Sequence, residues 1–217
     1  DIITQREKYT YSYDHVGRPI VTKYQLNDAP AIMHTQLLYN QRGQLIKTLR
    51  HNKQDTIKYQ YITNGALIAL SNKHFSEKLF YADSLPDYAT AYYNGNISAM
   101  DIKFSDSTYH FTYDYDYYNR LQESFYLKDD NLHSNEYFDL DIMGNIKRIQ
   151  RYTLQGRQLD DLSFILDGNK IKAIEDYASA TDLYTTKEYY DRCTYNDTPE
   201  MDYDANGNLT RDLDRAI

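Results

Sequence analysis

The stretch Tyr203-Asp204-Ala205-Asn206-Gly207-Asn208-Leu209 decides the fold of this chain. An Asp at the first position of a turn accepts hydrogen bonds from backbone N–H groups two and three residues on, and a Gly three residues later takes the left-handed conformation that closes the turn. An aromatic residue precedes this turn and a Leu follows it, as in two short strands with one face buried. The stretch therefore predicts a β-hairpin.

The same pattern recurs along the whole chain, about every 25 residues, with one longer gap of 207 − 168 = 39. The turn residues are Gly17, Gly43, Gly65, Gly95, Asn119, Gly144, Gly168 and Gly207. Four positions before them lie Tyr13, Tyr39, Tyr61, Ala91, Tyr115, Leu140, Phe164 and Tyr203. Three positions before them, Asp or Asn occurs as Asp14, Asn40, Asp116, Asp141 and Asp204. Two positions after them Leu or Ile is the rule, with Pro19 and Lys170 as exceptions.

Three columns that recur together indicate a repeat architecture, so most of the tyrosines and aspartates are expected to be structural. We predict an all-β fold of consecutive antiparallel β-hairpins in one curved sheet. The dipeptides Asn94-Gly95 and Asp167-Gly168 predict two-residue hairpin turns. Asn119 fits a turn position that needs positive φ.

One segment of about eight hairpin units is expected over residues 1–217, with a long insertion at 176–201. Tyr81–Ala91 contains Pro86 and predicts a longer loop. Neither end of the sequence has the polar cap typical of repeat arrays, so we expect a fragment of a larger protein with an unpaired strand edge at each end.

Composition excludes several classes of function. The net charge of −8 without a Lys/Arg cluster disfavours nucleic acid as a partner. No apolar run approaches the roughly 20 residues of a transmembrane helix. The single cysteine, Cys193, rules out an internal disulfide framework.

No motif that carries a catalytic mechanism occurs, so we expect no enzyme activity and no cofactor. The groups Asp114/Asp116/Asn119 and Asp202/Asp204/Asn206/Asn208 have the oxygen-rich character of calcium loops. Turn capping explains the same residues without a metal and is the favoured interpretation. Scattered histidines and Cys193 show no ligand or nucleophile spacing.

The segments Tyr13-Asp14-x-x-Gly17-Arg18, Tyr39-Asn40-x-x-Gly43 and Tyr203–Leu209 resemble the YD repeats of bacterial Rhs proteins, of toxin-complex B–C components and of teneurins. The resemblance runs from Tyr9 to Arg211 and implies a spiral of β-hairpins that forms a shell. In the bacterial members such a shell encloses a toxic C-terminal domain. The expected function is therefore a non-catalytic wall segment of a secreted or cell-surface bacterial protein. Its partners would be the remainder of that protein and its cargo.

The alternative function is an adhesion or glycan-binding module built from the same sheet. Adjacent tyrosines, which could stack on sugars, occur at Tyr92/Tyr93, Tyr117/Tyr118 and Tyr189/Tyr190. On a strand, each pair would place one ring on each face. Cross-strand tyrosine ladders between hairpins are the favoured role for such rings.

Overall fold

Backbone hydrogen bonding in the computed structural model follows the order of the chain. The structure describes residues 5–83, 85–128, 132–178, 189, 191–196 and 198–215. The strands are β1 (Glu7–Tyr13), β2 (Pro19–Leu26), β3 (Ile32–Tyr39), β4 (Leu45–Arg50), β5 (Asp55–Tyr61), β6 (Leu67–Ser71), β7 (Phe75–Phe80), β8 (Ala99–Phe104), β9 (Ser107–Tyr115), β10 (Leu121–Lys128), β11 (Leu132–Leu140), β12 (Ile146–Tyr152), β13 (Gln158–Asp167), β14 (Lys170–Asp176), β15 (Met201–Tyr203) and β16 (Leu209–Asp212).

Strands β1 to β14 form a 14-stranded sheet in which each strand neighbours the next one along the chain, and β15 pairs with β16 in a separate two-stranded sheet. The strand pairings are antiparallel. Helix is absent from the described residues, and accordingly none of them forms a helix long and apolar enough to span a membrane. The prediction of an all-β fold of consecutive antiparallel hairpins is confirmed.

The chain divides into two compact units, residues 1–80 with 100–108 and residues 81–99 with 109–217. In the first unit, Thr48 and Phe80 are the only buried side chains among the described residues. The second unit has a hydrophobic cluster of Leu162, Ile174 and Met201. The interpretation of 1–217 as one segment stays a prediction.

The residues that flank this cluster include two members of the aromatic column. Phe164 and Tyr203 pack against it, together with Ile149, Ile171 and Tyr189. Both aromatic residues lie on strands, β13 and β15, and both are half-buried. The aromatic column therefore supplies the rim of the apolar cluster in the second unit.

Two predicted hairpin turns differ from the structure. Gly95 does not join two strands, because β7 ends at Phe80 and the described residues up to β8 form no strand. The chain there lacks an aromatic residue at Ala91 and contains Pro86, which has no N–H for a ladder. After β13, Asp167 pairs with Lys170. The two-residue turn is thus Gly168-Asn169, one residue later than predicted.

Several further turns had no prediction, among them those at Ser105 and Gly156. Ser105 takes φ of 55° in the turn between β8 and β9. Between β12 and β13, the Gly156 N–H donates to the Thr153 carbonyl at 2.9 Å, in the same pattern as the repeat turns. The repeat rule missed both because neither has an Asp or Asn three positions before a Gly.

Candidate functional site: the repeated turn and the edge of β14

The repeated turn is a short loop held by the side chain of its first residue. Asp141 Oδ1 accepts the N–H groups of Met143 at 2.9 Å and Asn145 at 2.8 Å. The Gly144 N–H donates to the Asp141 carbonyl at 3.1 Å, and the Asp141 N–H donates to the Asn145 carbonyl at 2.9 Å. The Asp side chain thus reaches residues two and four positions on, rather than two and three.

The same hydrogen bonds recur at Asp14, Asn40, Asp116 and Asp204. The residue three positions on has positive φ each time, for example 90° at Gly144 and 63° at Asn119. The remaining turn glycines, Gly17, Gly43, Gly65, Gly95, Gly168 and Gly207, also have positive φ. Only Gly adopts this region without strain, and Asn tolerates it better than other residues.

The residue after the turn Gly or Asn completes the carboxylate's hydrogen bonds. Hydrogen bonds from the Arg120 side chain lower the pKa of Asp116, and those from the Asn145 side chain lower the pKa of Asp141. The Asn208 side chain lowers the pKa of Asp204 in the same way. For Asp14, desolvation acts to raise the pKa, but the hydrogen bonds from Arg18 and Val16 together lower it. These interactions favour the ionised carboxylate.

The aromatic and Leu/Ile columns are cross-strand partners. Tyr39 pairs with Leu45, and Tyr61 pairs with Leu67. The same pairing holds for Tyr115/Leu121, Leu140/Ile146 and Tyr203/Leu209, and Tyr13 pairs with Pro19. The register shifts by one residue at each of these pairs. The two columns therefore mark the last pair before each bulged turn.

The tyrosine hydroxyls link successive repeats. Tyr39 Oη donates to the Pro19 carbonyl at 3.2 Å, and Tyr61 Oη donates to the Leu45 carbonyl at 2.9 Å. In the second unit, Tyr115 Oη donates to the Ile97 carbonyl at 2.9 Å. Each acceptor belongs to the residue two positions after the preceding turn glycine. The aromatic residue of one repeat is thus hydrogen-bonded to the end of the previous turn.

Cations add a second link between neighbouring turns. The Arg18 guanidinium lies over the Tyr39 ring, 4.4 Å from its centroid, and the Lys170 ammonium lies 5.5 Å from the Tyr203 ring centroid. Arg120 Nη1 donates to the Asp141 carbonyl at 2.6 Å. Lys170, an exception in the apolar column, therefore contacts the aromatic residue of the next repeat.

Side-chain oxygens of both calcium-like groups accept hydrogen bonds from other groups of the protein. Asp114 Oδ1 accepts the hydroxyl of Tyr92 at 2.7 Å. Asp204 accepts the N–H groups of Asn206 and Asn208 through Oδ1, and the Asn208 side-chain amide through Oδ2. This is turn-capping geometry.

Two of the three adjacent tyrosine pairs lie at turns, outside the strands. Tyr92 and Tyr93 precede Gly95, and Tyr117 and Tyr118 precede Asn119, so the expected division between two sheet faces does not apply. Tyr189 is half-buried, and its partner Tyr190 lies outside the described residues. Tyr117 and Tyr118 lie at a turn because Asp116 initiates one.

Cross-strand ring pairs do occur elsewhere. The Tyr9 and Tyr24 rings lie 5.2 Å apart between β1 and β2, and those of Phe111 and Tyr126 lie 5.0 Å apart between β9 and β10. Tyr137 and Tyr152 form an edge-to-face contact at 5.9 Å. Such pairs typically contribute about 0.2–1 kcal/mol each.

Acidic side chains cover the outer edge of β14. Glu200 Oε2 accepts the Ile174 N–H at 3.4 Å, and Asp191 Oδ2 accepts the Asp176 N–H at 3.0 Å. The Glu200 N–H donates to the Lys172 carbonyl at 2.8 Å. Glu175, on β14 itself, accepts the Tyr195 N–H. Residues of the long insertion therefore replace a further strand at this edge.

At this edge, the ionised form of the Glu200 carboxyl group is disfavoured. Glu200 is 2% exposed, and Oε1 has no hydrogen-bond partner among the described residues. Burial raises its pKa to about 7, with further contributions from the carboxylates of Asp214, Glu175 and Asp191. Burial also raises the pKa of the Cys193 thiol, the opposite of what activates a nucleophile. Sequence reasoning found no signal for this cluster, because its members are distant along the chain.

No protein-family model and no curated protein matches this chain. Among solved structures, a chain of the TcdB2-TccC3-Cdc42 complex is similar, with a TM-score of 0.61, 13% identity and coverage of 94% of this chain. This chain spans 11% of the length of that chain. The likeness shows that both share an antiparallel β-hairpin fold.

Two other solved structures match more weakly. The Photorhabdus luminescens Tc holotoxin pore gives a TM-score of 0.39 at 11% identity, with coverage of 82% of this chain and 10% of that one. TcdB2-TccC3 without its hypervariable C-terminal region gives 0.33 at 11% identity, with coverage of 76% and 13%. Both scores are too low to support an argument.

Proposed function

We propose that this chain is a non-catalytic wall segment of an Rhs-type bacterial protein whose shell encloses a C-terminal toxin or effector domain. The partners would be the remainder of the same protein and that cargo, and the location would be outside the cell or at its surface. The fold shared with a chain of the TcdB2-TccC3-Cdc42 complex supports this proposal.

The observation that carries the proposal is the hydrogen bond from the tyrosine of one repeat to the preceding turn. Because Tyr39 and Tyr61 bind the carbonyls of Pro19 and Leu45, these hairpins hold their preceding neighbours through a contact that successive repeats can share. A fold that is stabilised by contacts between neighbouring repeats can be extended one hairpin at a time. This is the property that a wall of many repeats requires.

The sparse core of the first unit fits the same role. This unit, which holds β1 to β7 and most of β8, buries fully only Thr48 and Phe80 among its described residues. A globular domain of this size buries a larger share of its side chains. A sheet with two partly exposed faces suits a wall, since one face can line an interior while the other meets solvent.

The test uses the full-length protein that contains this chain. Denaturing gel electrophoresis is combined with native size-exclusion chromatography and limited proteolysis. Containment predicts that the C-terminal segment co-elutes with the repeats even where the chain between them is cleaved, and that it resists a protease that digests it once unfolded. A C-terminal segment that is digested as fast in the native protein as in urea would refute containment.

Adhesion through glycans is the second candidate function, and exposed tyrosines favour it. Tyr93, Tyr117 and Tyr118 are largely exposed at two neighbouring turns of the second unit. Exposed aromatic clusters are typical of interaction sites. A screen of the full-length protein against glycans tests this candidate independently of the cargo.

A further inference from the structure

A groove in the second unit lies beside the turn between β9 and β10. It is a shallow, open depression with a volume of about 640 Å³. The lining residues are Tyr92, Tyr115, Asp116, Tyr117, Asn119 and Gln122. Three tyrosines and two residues with side-chain amides therefore line one concave surface.

Two of the rings are held in place by hydrogen bonds. Tyr92 and Tyr115 meet edge to face, with centroids 5.0 Å apart and an interplanar angle of 81°. The Tyr92 hydroxyl donates to Asp114 Oδ1 at 2.7 Å and accepts the Tyr115 N–H at 3.2 Å. The Tyr115 hydroxyl donates to the Ile97 carbonyl. These rings form a preformed wall, so a ligand would not have to order them.

The third ring is fully exposed. Tyr117 lies at the tip of the turn, which Asp116 holds through the N–H groups of Tyr118 and Arg120. The neighbouring turn is attached by a hydrogen bond from the Asn94 amide to Asn119 Oδ1. Tyr117 therefore presents its ring to solvent on a turn whose backbone is held by Asp116.

The charges around the groove favour a neutral ligand. Among the described residues, Asp116 is the only charged one that lines it, and Arg120 Nε donates to Asp116 Oδ2 at 2.7 Å. Arg120 also donates to the Asp141 carbonyl, so its guanidinium is already engaged. An anionic ligand such as a phosphate would meet a carboxylate and no lysine, arginine or histidine among these lining residues. The Gln122 amide offers a donor and an acceptor, and Asn119, whose Oδ1 accepts the Asn94 amide, still offers its N–H donors.

We propose that this groove binds a neutral saccharide, with one sugar ring stacked on Tyr117 and its hydroxyl groups hydrogen-bonded by Gln122 and Asn119. A sugar has apolar C–H faces for the aromatic ring and a rim of hydroxyl groups for the amides. That combination matches an aromatic wall with neutral polar groups beside it. The inference rests on the second candidate function and does not depend on containment of a cargo.

The experiment measures binding of the full-length protein to an array of neutral hexose and N-acetylhexosamine oligosaccharides. Acidic glycans and proline-rich peptides are included, because aromatic grooves also bind polyproline helices. Tyr117→Ala and Gln122→Ala should each weaken binding of the neutral saccharide, Tyr117→Ala by roughly tenfold or more. The matched control is Tyr177→Ala, since Tyr177 is also largely exposed but lies outside the groove. Unchanged melting temperatures would show that the variants fold.

Each other result refutes the site. If saccharides bind and Tyr117→Ala binds as tightly as Tyr177→Ala, the glycan-binding function holds and this groove is not its site. If the array shows only acidic glycans or proline-rich peptides, the ligand class is wrong. If no saccharide binds at millimolar concentration, both the site and the glycan-binding function fail, whereas containment is unaffected.

Discussion

At the scale of single residues, the tyrosine hydroxyl distinguishes this repeat from an ordinary hairpin. A phenylalanine at the same position would fill the same space and favour strands equally. The hydroxyls of Tyr39, Tyr61 and Tyr115 instead each bind a backbone carbonyl of the preceding turn. Burial raises the pKa of Tyr61 and of Tyr115, so both stay protonated donors at neutral pH.

We predict that Tyr61→Phe destabilises the chain by about 0.5–1.5 kcal/mol, because the Leu45 carbonyl loses its donor while the ring is retained. Tyr13→Phe is the matched control, since Tyr13 belongs to the same column but is more than half exposed. Urea unfolding followed by circular dichroism measures both. Equal midpoints for the two variants would mean that the hydroxyl contributes nothing to stability.

The turn glycine is the second residue whose chemistry is specific. At Gly144 an added Cβ would meet only Arg120 Nη1 at 3.8 Å, an ordinary contact, so the φ of 90° alone opposes substitution. Gly144→Val should cost about 1–3 kcal/mol through backbone strain. Gly144→Asn should cost less, because Asn119 has positive φ at the same position of its own repeat. Thermal unfolding compares the two, and a valine variant as stable as the asparagine variant would contradict this account.

At the scale of strands, the two edges of the 14-stranded sheet differ. At β14, Glu200 and Asp191 accept backbone N–H groups that a further strand would otherwise bind. At β1, all seven residues are exposed. Only the edge at β14 is therefore covered by described residues, although the sequence predicted two unpaired edges.

Glu200, which covers the edge of β14, makes the stability of the folded chain depend on pH. The pKa of Glu200 is about 7 in the folded chain, against an ordinary value of 4.5. A raised pKa means that the protonated form is favoured on folding, so this contribution is fully present below about pH 4.5 and is lost as the pH rises through about 7.

Glu200→Gln cannot ionise and should therefore stabilise the chain at pH 8, by roughly 1–3 kcal/mol, with little change at pH 4.5. The control is Asp139→Asn, because Asp139 is an exposed carboxylate whose ion pair with Lys147 is long, at 3.9 Å, so its removal should change stability little at pH 8. Thermal unfolding at the two pH values measures the difference. A glutamine variant that loses stability at pH 8 would show that the ionised carboxylate stabilises this edge.

At the scale of the whole molecule, the sequence predicts what local chemistry decides. Asp141 and Gly144 determine their turn within four residues, so the repeat and the all-β fold could be derived from them. The turn at Thr153 was missed because its Oγ1 replaces a carboxylate, accepting the Arg157 N–H at 3.1 Å. The contact of Glu200 with Ile174 joins residues 26 apart and has no local pattern. The groove at Tyr117 depends on two turns being neighbours, which single turns do not reveal.

The exposed edge at β1 has a consequence for the molecule as a whole. The Asn27 N–H donates to the Arg6 carbonyl, so Arg6 belongs to a hydrogen-bonded pair. Such pairs alternate along an antiparallel ladder. Thr10 therefore bonds to β2, whereas the N–H of Tyr11 points away from the sheet. An exposed edge of this kind is a template for pairing with another chain.

We predict that the 217-residue chain associates with itself through β1, and that Tyr11→Pro reduces this association without unfolding the sheet. Proline removes the outward N–H of residue 11 and leaves the ladder to β2 intact. Tyr11→Ala is the matched control, because it removes the same ring but keeps the N–H and should still associate. Thr10→Pro removes a ladder bond instead and should lower the melting temperature.

Light scattering with size-exclusion chromatography, across a range of concentrations, measures the association. If Tyr11→Pro and Tyr11→Ala had the same mass at every concentration, the chains would not be pairing through the backbone of β1.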